Sequence, residues 1–321
     1  MSVMGTLYLD RQDLEVRQES DYLCLYEGGE RRGTVPLTVV DRVVIRGRAT
    51  VSTGALGLLA ERGVGLLVLG GRHGRRVAML LGRPHGDVAR RVAQYRWHSE
   101  AGRRLPLARL VVLGKLRGQC QLLRRAMERR PDRRKPLFDA LAQVEVVRER
   151  IRGADPGQIS LSSLRGMEGA AAAAYFAGFT ALFAPSLAFT GRNRRPPRDP
   201  VNATLSLAYT LLHFEAVMAC HMTGLDPFVG VYHDLAYNRE SLGADLVEPL
   251  RPCADEWVWR LFAERRLHER CFVREGEACL LNKQGREVFY RSFEAFCRGI
   301  RRRLRRYAGI LVRTLAGDTD P

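Results

Sequence analysis

RVAMLLGRPHG, residues 76–86, is where the hydrophobic period of this 321-residue chain changes, and its reading decides the fold class. Upstream, apolar residues recur in runs of four to seven: TLYLD, LEVRQ, YLCLYE, GTVPL, RVVIRG, GLLVLG and RVAMLLG itself. Runs of that length, parted by turn formers such as Glu27-Gly28-Gly29-Glu30, are strands. One short helix interrupts them at residues 52–62 (STGALGLLAER), with Ser52 or Thr53 as N-cap and Gly63 as its stop. The glycines of residues 70–74 (GGRHG) suggest a phosphate-cradling loop, but they lie between two strands and lead into no helix, so a hairpin turn is expected. Downstream the pattern lengthens into amphipathic stretches of strong helix formers, notably residues 105–129. The expectation is an α+β protein of two domains: a small β-sheet-rich N-terminal domain at residues 1–86, then a larger all-α domain at residues 87–321.

Lys and Arg number 52 against 35 Asp and Glu, a formal net charge of +17. Residues 1–90 carry only +3 of it, so the helical part is the basic one. Its expected partner is a polyanion. A membrane surface is the competing partner, yet no run of about 18 apolar residues occurs, and the most hydrophobic segment, residues 170–189, is broken by Gly178 and Pro185. The N-terminus MSVMGTLYLDRQDLEV is charged and strand-like, with no signal-peptide core, so a cytoplasmic protein that does not enter a membrane is expected. Seven cysteines (Cys24, Cys120, Cys220, Cys253, Cys271, Cys279, Cys297) are scattered without a CxxC pair, which argues against zinc and against a disulfide framework.

In the helix expected at residues 161–183, Leu164, Glu168, Ala171, Tyr175 and Phe179 recur at helical spacing, which places Glu168 on the apolar stripe. A lone ionised carboxylate there is costly and calls for a raised pKa, a cationic partner or a metal. An edge position paired with an arginine is the alternative. Arg192, Arg194, Arg195 and Arg198 follow in a proline-held loop, RNRRPPRDP, suited to phosphate oxygens, although such a run also fits plain solvated surface. Asp199 can cap the next helix, residues 201–223, with Pro200 in its first turn and Gly224 as its stop. His213 and His221 within it read as packing or surface residues. Further on, a helix is expected at 254–267 with Trp257, Leu261 and Phe262 facing a core, then a small hairpin at 272–281. Asn282 would cap a last helix at 283–315, whose arginines, among them Arg301, Arg303 and Arg305, wrap much of its circumference.

Residues 224–252, GLDPFVGVYHDLAYNRESLGADLVEPLRP, concentrate side chains of metal-binding type. His233 is followed by Asp245 and then by Glu248, and the two acids stand at i and i+3 on one helix face. Alone, these residues also fit a solvated acidic helix start after a loop histidine. With Glu168 they fit a hard divalent ion, Mg²⁺ or Mn²⁺, with open positions for water and phosphate. In a basic protein, metal-assisted phosphodiester chemistry is the simplest joint explanation: a nuclease or a strand-transfer enzyme.

The chain also resembles a known family. VPLTVVDRVVIRG, STGALGLLAERGVGLLVLG, ARLVVLGKLRGQ, LRGMEGAAAAAYF, RRPPRDPVNATLSLAYTLL, LDPFVGVYH and SLGADLVEPLRP, in this order and spacing, are similar to the CRISPR-associated spacer-acquisition integrases, and the likeness covers nearly the whole chain. The resemblance implies a β-sheet N-terminal domain that forms a homodimer and an α-helical catalytic, DNA-binding domain. It implies that Glu168, His233 and Asp245 bind the metal, with Glu248 as a further acidic residue beside them. The implied reaction is attack by the 3′-hydroxyl of a short spacer-precursor DNA on a phosphodiester of the CRISPR repeat. The implied partner, besides DNA, is a small ferredoxin-like acquisition protein. Lys115, Gln119, Arg192, Arg194 and Arg195 are candidate DNA contacts, and Asn202 and Tyr209 match an NxxxSxxY-like helix that supports the site. Gly118-Gln119 departs from the Asn-Gln that many relatives carry there. A structure-selective metal-dependent nuclease without strand transfer, and a non-catalytic nucleic-acid-binding scaffold, are the competing functions.

Overall fold

A computed structural model describes residues 5–71, 76–155, 159–193 and 196–317. The chain forms two compact units, Met1–Gly86 and Asp87–Pro321. The first holds strands β1 (Gly5–Asp10), β2 (Leu14–Glu19), β3 (Tyr22–Glu27), β4 (Glu30–Pro36), β5 (Val40–Arg46) and β6 (Ala49–Val51). Helix α1 (Thr53–Glu61) and strands β7 (Gly65–Gly70) and β8 (Arg76–Leu80) complete it. Two four-stranded sheets result, in the orders β1-β5-β7-β8 and β4-β3-β2-β6. β3 and β4 are antiparallel across Gly28 and Gly29, both at positive φ, the backbone that a two-residue hairpin turn requires. β5 and β7 are parallel and therefore need a crossover, which α1 supplies. Ser52 caps α1 by accepting from the Ala55 N–H. Leu14, Val16, Leu23, Val43, Ile45, Leu59 and Leu66 form the core of this unit. β7 and β8 pair antiparallel, as a hairpin at residues 70–74 requires, although residues 72–75 lie outside the described residues.

The second unit is helical: α2 (Val88–Ser99), α3 (Ala101–Arg129), α4 (Arg134–Gly153), α5 (Leu161–Thr180), α6 (Pro200–Thr223), α7 (Ser241–Val247), α8 (Arg251–Ala263) and α9 (Lys283–Ala316). α5 stops at Thr180, short of the expected residue 183. α8 begins at Arg251, three residues earlier than expected, because Pro252 sits in the first turn, where a missing N–H costs nothing. The small hairpin is β9 (Phe272–Glu275) with β10 (Ala278–Leu281). Asn282 caps α9 through the Gly285 N–H.

α6 is a second strongly apolar segment beside residues 170–189. It is long and apolar enough to cross a membrane, yet 72% of its most hydrophobic window is buried inside the protein, so it serves as the core helix of the unit. Asp199 caps it through the Asn202 N–H, and Gly224 ends it in the left-handed region at φ 77°. One α9 arginine is internal. Arg301 reaches Glu215 of α6 at 2.8 Å and Glu294 at 2.5 Å, tying the last helix to the core.

Candidate metal centre

The site begins with two glycines of α3. Gly114 and Gly118 lie one turn apart, and a Cβ at either would meet Pro249 at 3.1 Å or Pro252 at 3.0 Å. The bare ridge lets the segment joining α7 to α8 close onto α3. That segment is a single 3₁₀ turn, Glu248–Leu250. The neighbouring ridge of α3 carries Lys115 and Gln119, which thereby face Glu248. The glycine at position 118 thus has a packing role, and the side-chain contact that an asparagine would make there is not available to this chain.

α5 supplies the opposite wall. Leu164, Ala171, Tyr175 and Phe179 are fully buried and form its core stripe. Glu168 is not on that stripe but on the next ridge, with Ala172 and Phe176, and its side chain is 17% exposed. It is paired, as a costly carboxylate must be, but with a lysine instead of an arginine. Lys115 Nζ lies 2.5 Å from Glu168 Oε1 and 2.6 Å from Glu248 Oε2. Arg251 Nε stands 3.0 Å from Glu248 Oε1. Burial opposes ionisation of Glu248, yet Arg251 and Lys115 more than offset it and hold the carboxyl down to about 2. Burial likewise works against the Lys115 ammonium, and Glu248 and Glu168 overcome it and raise its pKa.

His233 and Asp245 form the third element. Asp245 accepts backbone N–H bonds from Val231 (2.6 Å), Tyr232 (2.9 Å) and His233 (3.1 Å), and its Oδ1 is 2.6 Å from His233 Nδ1. Only glycine fits at position 230, where a Cβ would lie 2.6 Å from Asp245 Oδ2. Asp245 is fully buried and has no place in the wall of the cavity that Glu168, His233 and Glu248 share. The structure thus places Glu248, not Asp245, in the wall of the cavity with Glu168 and His233. A carboxylate whose lone pairs are filled by three amides and an imidazole orients the histidine, whereas Glu248, one turn later, faces the cavity. With Nδ1 committed to Asp245, Nε2 is the ring nitrogen left for a ligand.

The cavity has a volume of about 210 Å³ and is rimmed by Arg192, Arg239 and Arg251 together with Tyr209 and Tyr232. The Arg192 guanidinium donates to Asn202 Oδ1 at 2.6 Å and to Ser206 Oγ at 3.1 Å. Both Arg192 and Arg251 lie over the Tyr209 ring, at 5.4 and 4.6 Å. Tyr209 donates to Asp255, as does Tyr175 at 2.8 Å. Burial is the main cause that pushes Asp255 up to about 6, against these hydrogen bonds and the nearby Arg251 and Arg192.

Of the candidate residues, Lys115, Gln119, Glu168, Arg192, Tyr209, His233 and Glu248 come together at this cavity. Lys115 is engaged by two carboxylates, those of Glu168 and Glu248. Asn202 is wholly buried and braces the basic loop through Gly191 O and Asp199. Arg194 and Arg195 lie outside the described residues. Sequence reasoning missed Tyr232, Arg239, Arg251 and Asp255. Arg239 and Arg251 both stood within the quoted stretch, residues 224–252, and their positive charge beside metal-type ligands was the available signal. It also missed that His213 pairs with Glu240, 3.2 Å away and far along the chain.

A hard divalent ion suits this donor set: two carboxylates, an imidazole nitrogen and Gln119 Oε1, a buried oxygen without a hydrogen-bond partner among the described residues. Among those residues no three His, Cys, Asp or Glu side chains already stand at ligand separation. The interval between Glu168 and Glu248 is spanned by an ammonium instead, which shows that it favours a cation.

A family model described as CRISPR associated protein Cas1 matches residues 7–295. A CRISPR-associated endonuclease Cas1 from Thermodesulfovibrio yellowstonii is 38% identical over 293 residues, covering 91% of each chain. A casposase bound to integration product has a TM-score of 0.81 and 21% identity, covering 97% of this chain and 91% of that one. A chain of a Cas6-RT-Cas1–Cas2 complex has a TM-score of 0.84 and 20% identity, covering 99% of this chain and 35% of that one.

Proposed function

The chain belongs to the Cas1 family of CRISPR-associated proteins, and on that premise we propose that it is a Mg²⁺- or Mn²⁺-dependent DNA integrase and endonuclease of spacer acquisition. The observation that carries this reading is the meeting of Glu168, His233 and Glu248, from three separate segments, at one arginine-rimmed cavity. These three would hold the ion, which when bound supplies charge neutralisation at phosphorus and a lowered pKa for the attacking hydroxyl. Asp245 keeps the imidazole oriented and its Nδ1 protonated. Arg192, Arg239 and Arg251 offer guanidinium groups to the phosphate oxygens, and Tyr209 holds two of them against its ring.

The proposed partners are spacer-precursor DNA, the CRISPR repeat, a second copy of the chain paired through residues 1–86, and the small ferredoxin-like acquisition protein, all in the cytoplasm. Incubation of the protein with a branched DNA whose arm ends in a free 3′-hydroxyl tests the reaction. Joined strands that depend on Mn²⁺ are expected, and cutting without joining would favour the hydrolytic nuclease. Glu168→Ala, His233→Ala and Glu248→Ala should abolish turnover while leaving DNA binding largely intact, and full activity in any of them removes that residue from the site.

A further inference from the structure

The chain contains three lysines, Lys115, Lys135 and Lys283, in a basic complement of 52 that is otherwise arginine. Apart from Glu248, the buried glutamate among the described residues, Glu215, is gripped by a guanidinium group, that of Arg301, which also reaches Glu294. Lys135 is 85% exposed and Lys283 is exposed, whereas the Lys115 side chain is 14% exposed and lies inside the candidate metal centre. The difference in chemistry matters. A guanidinium binds a carboxylate through a planar fork and holds it, while an ammonium is a compact point charge on a flexible stem that can leave by rotation about its own bonds.

Lys115 Nζ stands 2.5 Å from Glu168 and 2.6 Å from Glu248, in the interval where an ion shared by those two carboxylates would sit. Two cations a few ångströms apart repel strongly in a partly buried site, so an ammonium and a divalent ion do not share it. We propose that Lys115 is a placeholder cation: it neutralises Glu168 and Glu248 in the metal-free protein and is expelled from between them when a divalent ion binds. This rests on the metal-dependent reading above. The cavity beside it is lined by the guanidinium groups of Arg192, Arg239 and Arg251 and by Asp255, whose carboxyl is already bonded by Tyr175 and Tyr209, so a DNA phosphate entering there gives the displaced ammonium a new anionic partner. Metal and DNA phosphate are therefore thermodynamically coupled through this side chain, each favouring the other.

Amine labelling of the full chain tests this, because Lys135 and Lys283 serve as internal references. Under reductive methylation read by mass spectrometry, Lys115 without metal should react at least about tenfold more slowly than either. Saturating Mn²⁺ should raise its rate, with the midpoint that calorimetry gives for Mn²⁺ binding, and leave the other two unchanged. In parallel, Lys115→Met, its fold checked by thermal melting, should bind Mn²⁺ about tenfold more tightly or better without DNA. Calorimetric Mn²⁺ binding with no change in Lys115 labelling, or equal or weaker binding by Lys115→Met, overturns the placeholder role alone. Absence of Mn²⁺ binding in both proteins overturns the metal-dependent reading as well.

Discussion

The His233 imidazole is bonded through Nδ1 to the buried carboxylate of Asp245 at 2.6 Å, and that carboxylate also gathers the amides of residues 231–233. One acid thus shapes the loop and presents the histidine. Asp245→Asn replaces an acceptor with an amide that cannot accept at all four bonds. It should lower thermal stability by about 2 kcal/mol or more and weaken Mn²⁺ binding by about 10- to 100-fold, in calorimetry and melting curves.

Glu248→Gln should behave differently. The carboxylate faces Lys115 and Arg251 at the cavity, and its neutralisation should remove metal-dependent strand joining while Asp245→Asn retains residual activity. Side-by-side turnover of the two variants at saturating Mn²⁺ decides which acid faces the ion.

Gly230→Ala would put a Cβ 2.6 Å from Asp245 Oδ2 and 2.9 Å from Ser241. Overpacking of this kind costs about 1–3 kcal/mol and here pushes directly on the group that holds His233. A lowered melting temperature together with weakened Mn²⁺ binding is expected, and a melting change without a binding change would separate the loop from the site.

Asp255, pushed up to about 6 by burial, has a stability contribution of unusual sign. Its folded pKa exceeds the unfolded value, so protonation favours the fold. The contribution is complete below about pH 4 and is lost as pH rises through 6. Asp255→Asn does not titrate. Wild type should therefore gain stability relative to this variant by about 1–3 kcal/mol between pH 7.5 and pH 4, measured as the difference between their melting curves.

Arg239 lines the cavity together with Arg192 and Arg251. If it meets a single phosphate, Arg239→Ala should weaken binding to duplex DNA and reduce the slope of log affinity against log salt by about 0.9. An unchanged slope would place the phosphate path elsewhere.

Period and punctuation alone determined the division at Gly86, the strand runs, the caps Ser52, Asp199 and Asn282, and the stop at Gly224. These are local matters: backbone geometry, missing N–H groups and apolar repeats act within a few residues of one another. The candidate site was legible as residue types, Glu168, His233, Asp245 and Glu248, but not as an arrangement. An i, i+3 spacing put the two acids on one face and could not show which faced the cavity. That was decided by Gly230, which lets loop 230–233 close over Asp245, and by Gly114 and Gly118, against which Pro249 and Pro252 pack so that Glu248 meets Lys115. Such close approaches join residues 15 apart at Gly230 and Asp245, and more than a hundred apart where Gly114 and Gly118 meet Pro249 and Pro252. Their outcome depends on which side chains are small enough to allow contact, which only the tertiary structure reveals.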